Sequence, residues 1–314
     1  MTRHHRSAVV PPTAPFDGTE LDADPRLEAR HLTLGYERRT VVEDLSLLVP
    51  PGRVSVVVGA NGSGKSTLLR GLARLLRPAS GEVLLDGRDI HSLPSRDVAR
   101  RLGLLPQDAV APEGLLVRDL VGRGRHPHLG LLRRRSAEDD AAVLDAMALT
   151  GTTDLADRPV DELSGGQRQR VWVAMVLAQR TDLLLLVEPT TFLDLAHQVE
   201  LLDVLRDLNR LRRTTVVMVL HELNLAARYA DHLVALKRGR VVAQGDPREV
   251  VTPGLVADVF GLEARVVPDP VTGTPLVVPI GRHRPVPSPE PGRSGLERSK
   301  APSDRPGTGR QESP

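Results

Sequence analysis

The sequence predicts an α/β fold, with a core of parallel strands joined by helices, an antiparallel sheet in front and a helical insertion in the middle. Three observations carry this. The runs "RVSVVVG", "DLLLLVE" and "TTVVMVLHE" are short and continuously apolar, as strands covered on both faces are. "RHLTLGY" and "TVVEDLSLLV" alternate apolar with polar residues, the mark of half-buried antiparallel strands. Positions 108–180 carry helical and loop signals and no convincing strand.

Taken in order, positions 1–25 are polar and proline-bearing without a period, and are expected to form a disordered leader. One folded domain is expected over 26–281. Its antiparallel front continues in "GEVLLDGRDI", a strand pair around an Asp-Gly turn. The helical subdomain is placed at about 108–180. After "DLLLLVE", Leu195, Val199, Leu202 and Leu205 fall at helical spacing through to Arg213. "HLVALKRGRVVAQG" reads as a hairpin. The last stretch, 282–314, is rich in Pro, Ser, Gly and Arg and cannot bury enough apolar surface to order itself, so a disordered tail is expected.

Bulk properties narrow the classes. A chain of 314 residues with net charge +2 creates no strong field to select a partner. Aromatics at 2% argue against single-stranded nucleic acid, which is gripped by stacking on repeated rings. The absence of cysteine excludes disulfides, thiolate metal sites and cysteine nucleophiles. No apolar stretch approaches the ~18–20 residues that cross a bilayer, and the N-terminus makes a poor secretion signal, so a cytoplasmic protein is expected.

"GANGSGKS" matches G-x-x-x-x-G-K-[ST] in full, following a buried strand and preceding the helical "TLLRGLARLL". Gly59, Ala60, Asn61, Gly62, Ser63 and Gly64 would curl backbone N–H groups around phosphate oxygens. Lys65 would reach the β- and γ-phosphates and the Ser66 hydroxyl would ligate Mg²⁺, with Thr67 beside them at the positive end of the new helix. A second loop, "LSGGQRQR", also opens a helix, and the amides of Ser164, Gly165, Gly166 and Gln167 suit an anion too.

Together these motifs resemble those of ATP-binding cassette (ABC) proteins, over roughly 28–250. The resemblance implies a P-loop NTPase fold with a RecA-like core. It implies that Tyr36 stacks on adenine, that Gln107 of "LLPQD" contacts the metal, that Asp194 of "TFLD" forms the D-loop, and that His221 of "VLHEL" orients the γ-phosphate. Glu188 is the natural base or water-positioner. The resemblance further implies a head-to-tail dimer with ATP between the cradle of one copy and the "SGGQ" of the other. Within the family, "GRGRHPH", with Arg125, Pro127 and His128, resembles importers of ferric siderophores and their haem and cobalamin relatives. An integral permease docking on 117–135, an extracytoplasmic binding protein and a peripheral place on the cytoplasmic face of the membrane follow from that resemblance; a nucleic-acid partner does not.

One position departs from the pattern. The family's aspartate before the glutamate holds Mg²⁺ through water, and here Val187 has no oxygen to do so. Asp182 lies five residues back, about 16 Å along a strand, and cannot substitute. Valine suits the strand, so the fold should not suffer. Losing an outer-shell partner typically costs about 10–100-fold in metal affinity or activity, so ATP binding with slowed hydrolysis is expected. The alternative is a regulatory or assembly protein that binds ATP and barely hydrolyses it.

Overall fold

The structure is a computed structural model, and it describes residues 26–37, 39–107, 109–129 and 135–281. The expected leader (1–25) and tail (282–314) lie outside the described residues, as does the part of the expected docking segment at 130–134.

The chain opens with β1 (Leu27–Tyr36), β2 (Arg39–Leu48) and β3 (Val54–Val58), followed by α1 (Lys65–Leu72), β4 (Ser80–Leu85) and β5 (Arg88–Asp89). Strands β2-β1-β4-β5 form an antiparallel sheet. Its last hairpin turns at Asp86 and Gly87, both at positive φ (53° and 75°), as a two-residue turn of this twist requires. Next come α2 (Ser95–Arg101) and β6 (Leu102–Leu105).

The helical insertion holds α3 (Val117–Arg123), α4 (Ala137–Leu149) and α5 (Gly165–Ala178), with α3 and α4 packed on α5. It is followed by β7 (Leu183–Val187), α6 (Leu195–Arg212), β8 (Thr215–Val219), α7 (Leu223–Tyr229), β9 (His232–Lys237) and β10 (Arg240–Gly245). Two short helices, α8 (Pro247–Val250) and α9 (Pro253–Phe260), lead to the hairpin β11 (Ala264–Pro268) and β12 (Pro275–Pro279).

The central sheet runs β10-β9-β3-β8-β7-β6, parallel throughout except for β10. All residues of β3, β7 and β8 are buried, and their side chains divide between two cores with the period of two that a pleat imposes. Val54, Val56, Val58, Leu184, Leu186, Val216 and Met218 face the helical insertion, α6 and α7. Val57, Leu183, Leu185, Val187, Val217 and Val219 face α1 and the antiparallel sheet. This is why the three runs lack alternation: both faces need apolar cover.

The structure differs from the sequence reading in three places. The strand β6 escaped it because its four residues include Gly103, whose backbone packs so close to β7 that a Cβ would come 2.9 Å from the Leu184 side chain. The elements after Gly245 carry too few periodic residues to register. "GRGRHPH", read as a docking surface, turns partly inward. Arg125 is 4% exposed, its Nε 2.8 Å from Asp139 Oδ1 and its Nη1 donating to Ala178 O at 3.0 Å. His128 Nε2 donates to Gln179 O (2.8 Å), and Pro127 O accepts from Arg96 and Arg100. Charged residues look like surface in a sequence; here the guanidinium is satisfied by a carboxylate and carbonyls that only the fold brings to it. Arg118, Asp119, Arg123 and His126 of the segment are exposed.

Candidate functional site

Four of the positions singled out in the sequence follow the C-terminal ends of parallel strands, where ligands of open α/β sheets bind. Gly59 follows β3, Gln107 follows β6, Glu188 follows β7 and His221 follows β8.

The loop from Gly59 to Gly64 is shaped by its backbone. A Cβ on Gly59 would sit 2.2 Å from Leu236 O, and Gly64 has φ 103°, which side chains rarely adopt. The chain can therefore pass against β9 and start α1 with its first amides facing the cleft. Ala60, Asn61 and Gly62 are exposed along the rim; Ser66 is half-buried and Thr67 buried at the start of α1.

Lys65 is 5% exposed, and its Nζ donates to Gly59 O (2.8 Å) and Ala60 O (3.1 Å). Burial pushes the ammonium below the usual lysine range, and the nearby Glu188 carboxylate opposes that shift. The Ser63 hydroxyl is buried without a hydrogen-bond partner. A cradle with a buried cation folded onto its own carbonyls and an orphaned hydroxyl is built for an anion that it can wrap.

An open cleft of about 760 Å³ runs from this loop to Tyr36, past Gly35, Arg39 and Val41. Tyr36 ends β1 and is 42% exposed, and its hydroxyl accepts a hydrogen bond from Arg70 Nη1 at 3.1 Å. An exposed ring with an anchored hydroxyl beside a phosphate loop offers a flat platform for a base.

Beyond the ends of β7 and β8, His221 Nε2 and Glu188 Oε1 are 2.7 Å apart, with the carboxylate side chain 12% exposed and the imidazole 48%. Glu188 has φ 52°, in the left-handed region, so the strand end turns sharply to aim the carboxylate. Gln169 of α5 holds that turn, donating from Nε2 to Glu188 O (3.3 Å) and Pro189 O (3.1 Å); Thr191 Oγ1 donates to Glu188 Oε2 (3.3 Å). Sequence reasoning missed Gln169 and Thr191. Gln169 gives no local signal, because its partners lie 19 and 20 residues away. Thr191 is three residues from Glu188 and could have been read as a local turn partner.

Val187 pairs with Val219 in the sheet and is 3% exposed in the apolar layer with Leu68, Leu69 and Val57. It contributes packing and no oxygen. Gln107 lies exposed just past β6.

Ser164 caps α5 through a reciprocal pair, its hydroxyl accepting from Gln167 N (3.3 Å) while Gln167 Oε1 accepts from Ser164 N (3.1 Å). The amides of Gly165 and Gly166 stand in the first turn, where no intrahelical acceptor exists. Both glycines pack on the loop after Glu188: a Cβ on Gly165 would lie 3.3 Å from the Phe192 side chain. Asp194 caps α6, accepting from His197 N at 2.9 Å.

A P-loop entering a helix, an aromatic platform and a Glu–His pair at adjacent strand ends define a nucleotide-binding ATPase of the P-loop class. A family model described as ABC transporter matches residues 42–191. The chain is 54% identical over 260 residues to "Ferric enterobactin transport ATP-binding protein FepC" of Escherichia coli, covering 83% of this chain and 96% of that protein. Among solved structures, it is similar to an inward-facing metal-chelate type ABC transporter, with TM-score 0.70, 28% identity and coverage of 82% of this chain and 98% of that one. It also resembles a dimeric bacterial ABC transporter cassette, with TM-score 0.64, 26% identity and coverage of 70% and 98%. The chain belongs to the ABC transporter ATP-binding family, and it binds and hydrolyses ATP.

Proposed function

We propose that the chain is the ATP-hydrolysing subunit of an importer for an iron-siderophore or related metal chelate, working with a membrane permease. The observation that carries the reading is the Glu188–His221 pair standing beside the Lys65 cradle in a chain this similar to a ferric enterobactin transport ATPase. No helix among the described residues is long and apolar enough to cross a membrane, and the reading assigns the transport path to the partner permease. The chain sits peripherally on the cytoplasmic face of that permease, which in turn receives cargo from an extracytoplasmic binding protein.

Lys65 and the amides of Gly62 to Thr67 take the phosphates, and Tyr36 takes the adenine. Glu188 accepts a proton from a water that attacks the γ-phosphorus. The bond to the bridging oxygen breaks, leaving ADP and phosphate. His221 holds both the carboxylate and the γ-phosphate in place. The Ser164–Gln167 loop of a second copy closes over the nucleotide, with Asp194 at the seam; solved similarity to a dimeric cassette supports this arrangement.

No cluster of three His, Cys, Asp or Glu among the described residues could hold a metal by itself. The oxygens of Ser66 and Gln107 suit Mg²⁺ arriving with the phosphates, a hard cation that binds few protein ligands and keeps its waters. When bound, it neutralises charge on the phosphates. Val187 withholds one outer contact, and hydrolysis is slowed in consequence. Val187 also favours a second reading, an ATP-binding protein whose hydrolysis is too slow to drive transport.

Steady-state turnover of the full chain, Val187→Asp and Glu188→Gln, titrated with Mg²⁺, separates them. The importer reading expects the chain to turn over well above Glu188→Gln, with Val187→Asp about 10–100-fold faster at limiting Mg²⁺. A rate no higher than that of Glu188→Gln, unmoved by a reconstituted permease, establishes the second reading instead.

A further inference from the structure

We propose that Asn224 is a positioning residue for the hydrolysis step, through which the C-terminal hairpin β11–β12 braces His221 against Glu188. This rests on the assignment of His221 above.

His221 stands on a short joint. Val219, two residues before it, is fixed in the sheet between Val57 and Val187. Leu223, two residues after it, begins α7. The orientation of the imidazole is therefore set by where α7 sits relative to β8. Yet α7 has only seven residues and no side-chain hydrogen bond at its N-cap, Glu222. A helix so short has little stability of its own and is held by what it packs against. Its far end is tied down: Tyr229 is 5% exposed, and its hydroxyl donates to Asp203 Oδ1 on α6 at 2.8 Å.

The near end, next to His221, is held by Asn224. Its Nδ2 donates to Val277 O (3.2 Å), while its Oδ1 accepts from Val277 N (2.8 Å). Val277 pairs with Val266 across the hairpin but turns both backbone polar groups outward, and one carboxamide satisfies them as a neighbouring strand would. Val277 is 7% exposed, so neither group has ready access to water. Breaking the clamp would leave buried N–H and C=O groups unpaired, which gives it a definite geometry. The hairpin is rigid enough to serve as an anchor, since Asp269 closes its turn by accepting from Val271 N and Thr272 N.

A brace of this kind acts mainly on rate, because α7 supplies no residue to the cradle that lines the cleft around Lys65. A small misplacement of a catalytic group costs about 10–100-fold in rate. Asn224→Ala removes the clamp from the helix side. Val277→Pro removes the donated N–H from the hairpin side without touching a ladder bond.

Single-turnover and steady-state hydrolysis by the full chain test the proposal, together with equilibrium binding of Mg-free ATP. Both variants are expected to lower kcat about 10–100-fold while KM and the ATP Kd stay within about twofold. In a His221→Ala background, Asn224→Ala should have no further effect. Wild-type kcat in Asn224→Ala overturns the brace, as does a loss that persists undiminished in the His221→Ala background. A loss mirrored in ATP affinity overturns it too, because that would mark general damage to the fold. Unchanged turnover in His221→Ala alone would overturn the assignment of His221, and the brace with it.

Discussion

His221 Nε2 lies 2.7 Å from Glu188 Oε1, each residue just beyond the end of one of two hydrogen-bonded parallel strands, β8 and β7. Neither side chain reaches the other by chance of sequence, since they are 33 positions apart and meet only because the central sheet orders β7 beside β8. Groups that act as one unit lose most of their effect when either is removed. Glu188→Gln and His221→Ala are each expected to lower single-turnover hydrolysis by about 10²–10⁴-fold. The double variant should be little worse than the stronger single one. Equilibrium ATP binding should survive all three, because the cradle is intact.

Lys65 donates to the carbonyls of Gly59 and Ala60, and burial holds its pKa below the ordinary lysine value. Phosphate binds the protonated form, so ATP affinity should start to fall at lower pH than about 10.4, where a free lysine would begin to matter. The stability of the empty chain carries the opposite sign. Between the depressed folded pKa and the ordinary value the unfolded chain binds more protons, so stability rises with pH across that window. Isothermal titration of Mg-free ATP from pH 7 upward checks the first statement. Lys65→Met should bind weakly at every pH and lose the dependence.

Much of this site is legible in the sequence because its motifs are local. The loop from Gly59 to Ser66 announces itself through glycines that the backbone path demands, and Ser164 to Gln167 through a cap that spans four residues. The supports are invisible because they are long-range. Gln169 reaches from α5 to the turn just past β7, Asn224 reaches Val277 across 53 positions, and nothing near either residue predicts the partner. Arg125 shows how the same limit misleads. A basic Gly-Pro stretch has the composition of a surface turn, and only the fold reveals Asp139 and the end of α5 waiting for the guanidinium.

Gly59 offers a steric test. An added Cβ would meet Leu236 O at 2.2 Å, and that atom belongs to the backbone of a central strand and cannot swing aside. Gly59→Ala should force the loop off β9, with an overpacking cost of about 1–3 kcal/mol in urea denaturation. It should also abolish ATP binding at concentrations that saturate the native chain. Native affinity in Gly59→Ala would show that the loop can take another path.

The Arg125–Asp139 pair is 5% and 9% exposed at its side chains and ties the segment after α3 to α4. Burial by itself would raise the Asp139 carboxyl. The hydrogen bonds from Ser136 N–H, the Arg125 guanidinium and the Ser136 hydroxyl outweigh it and hold the pKa at about 2. Removing one partner strands the other charge, so Arg125→Met should destabilise the chain by about 3–5 kcal/mol. Arg125→Met combined with Asp139→Leu should recover most of that loss, because two apolar groups then fill the same space. The pH dependence has a fixed sign. The folded pKa lies below that of the unfolded chain, so the contribution of Asp139 is fully present above about 3.9 and is lost as pH falls toward 2, amounting to about 2 kcal/mol. Urea denaturation of the native chain and of the double variant between pH 5 and pH 2 measures it. The native chain should lose more stability over that range than the double variant, and equal losses would mean that the carboxylate gains nothing from its partners.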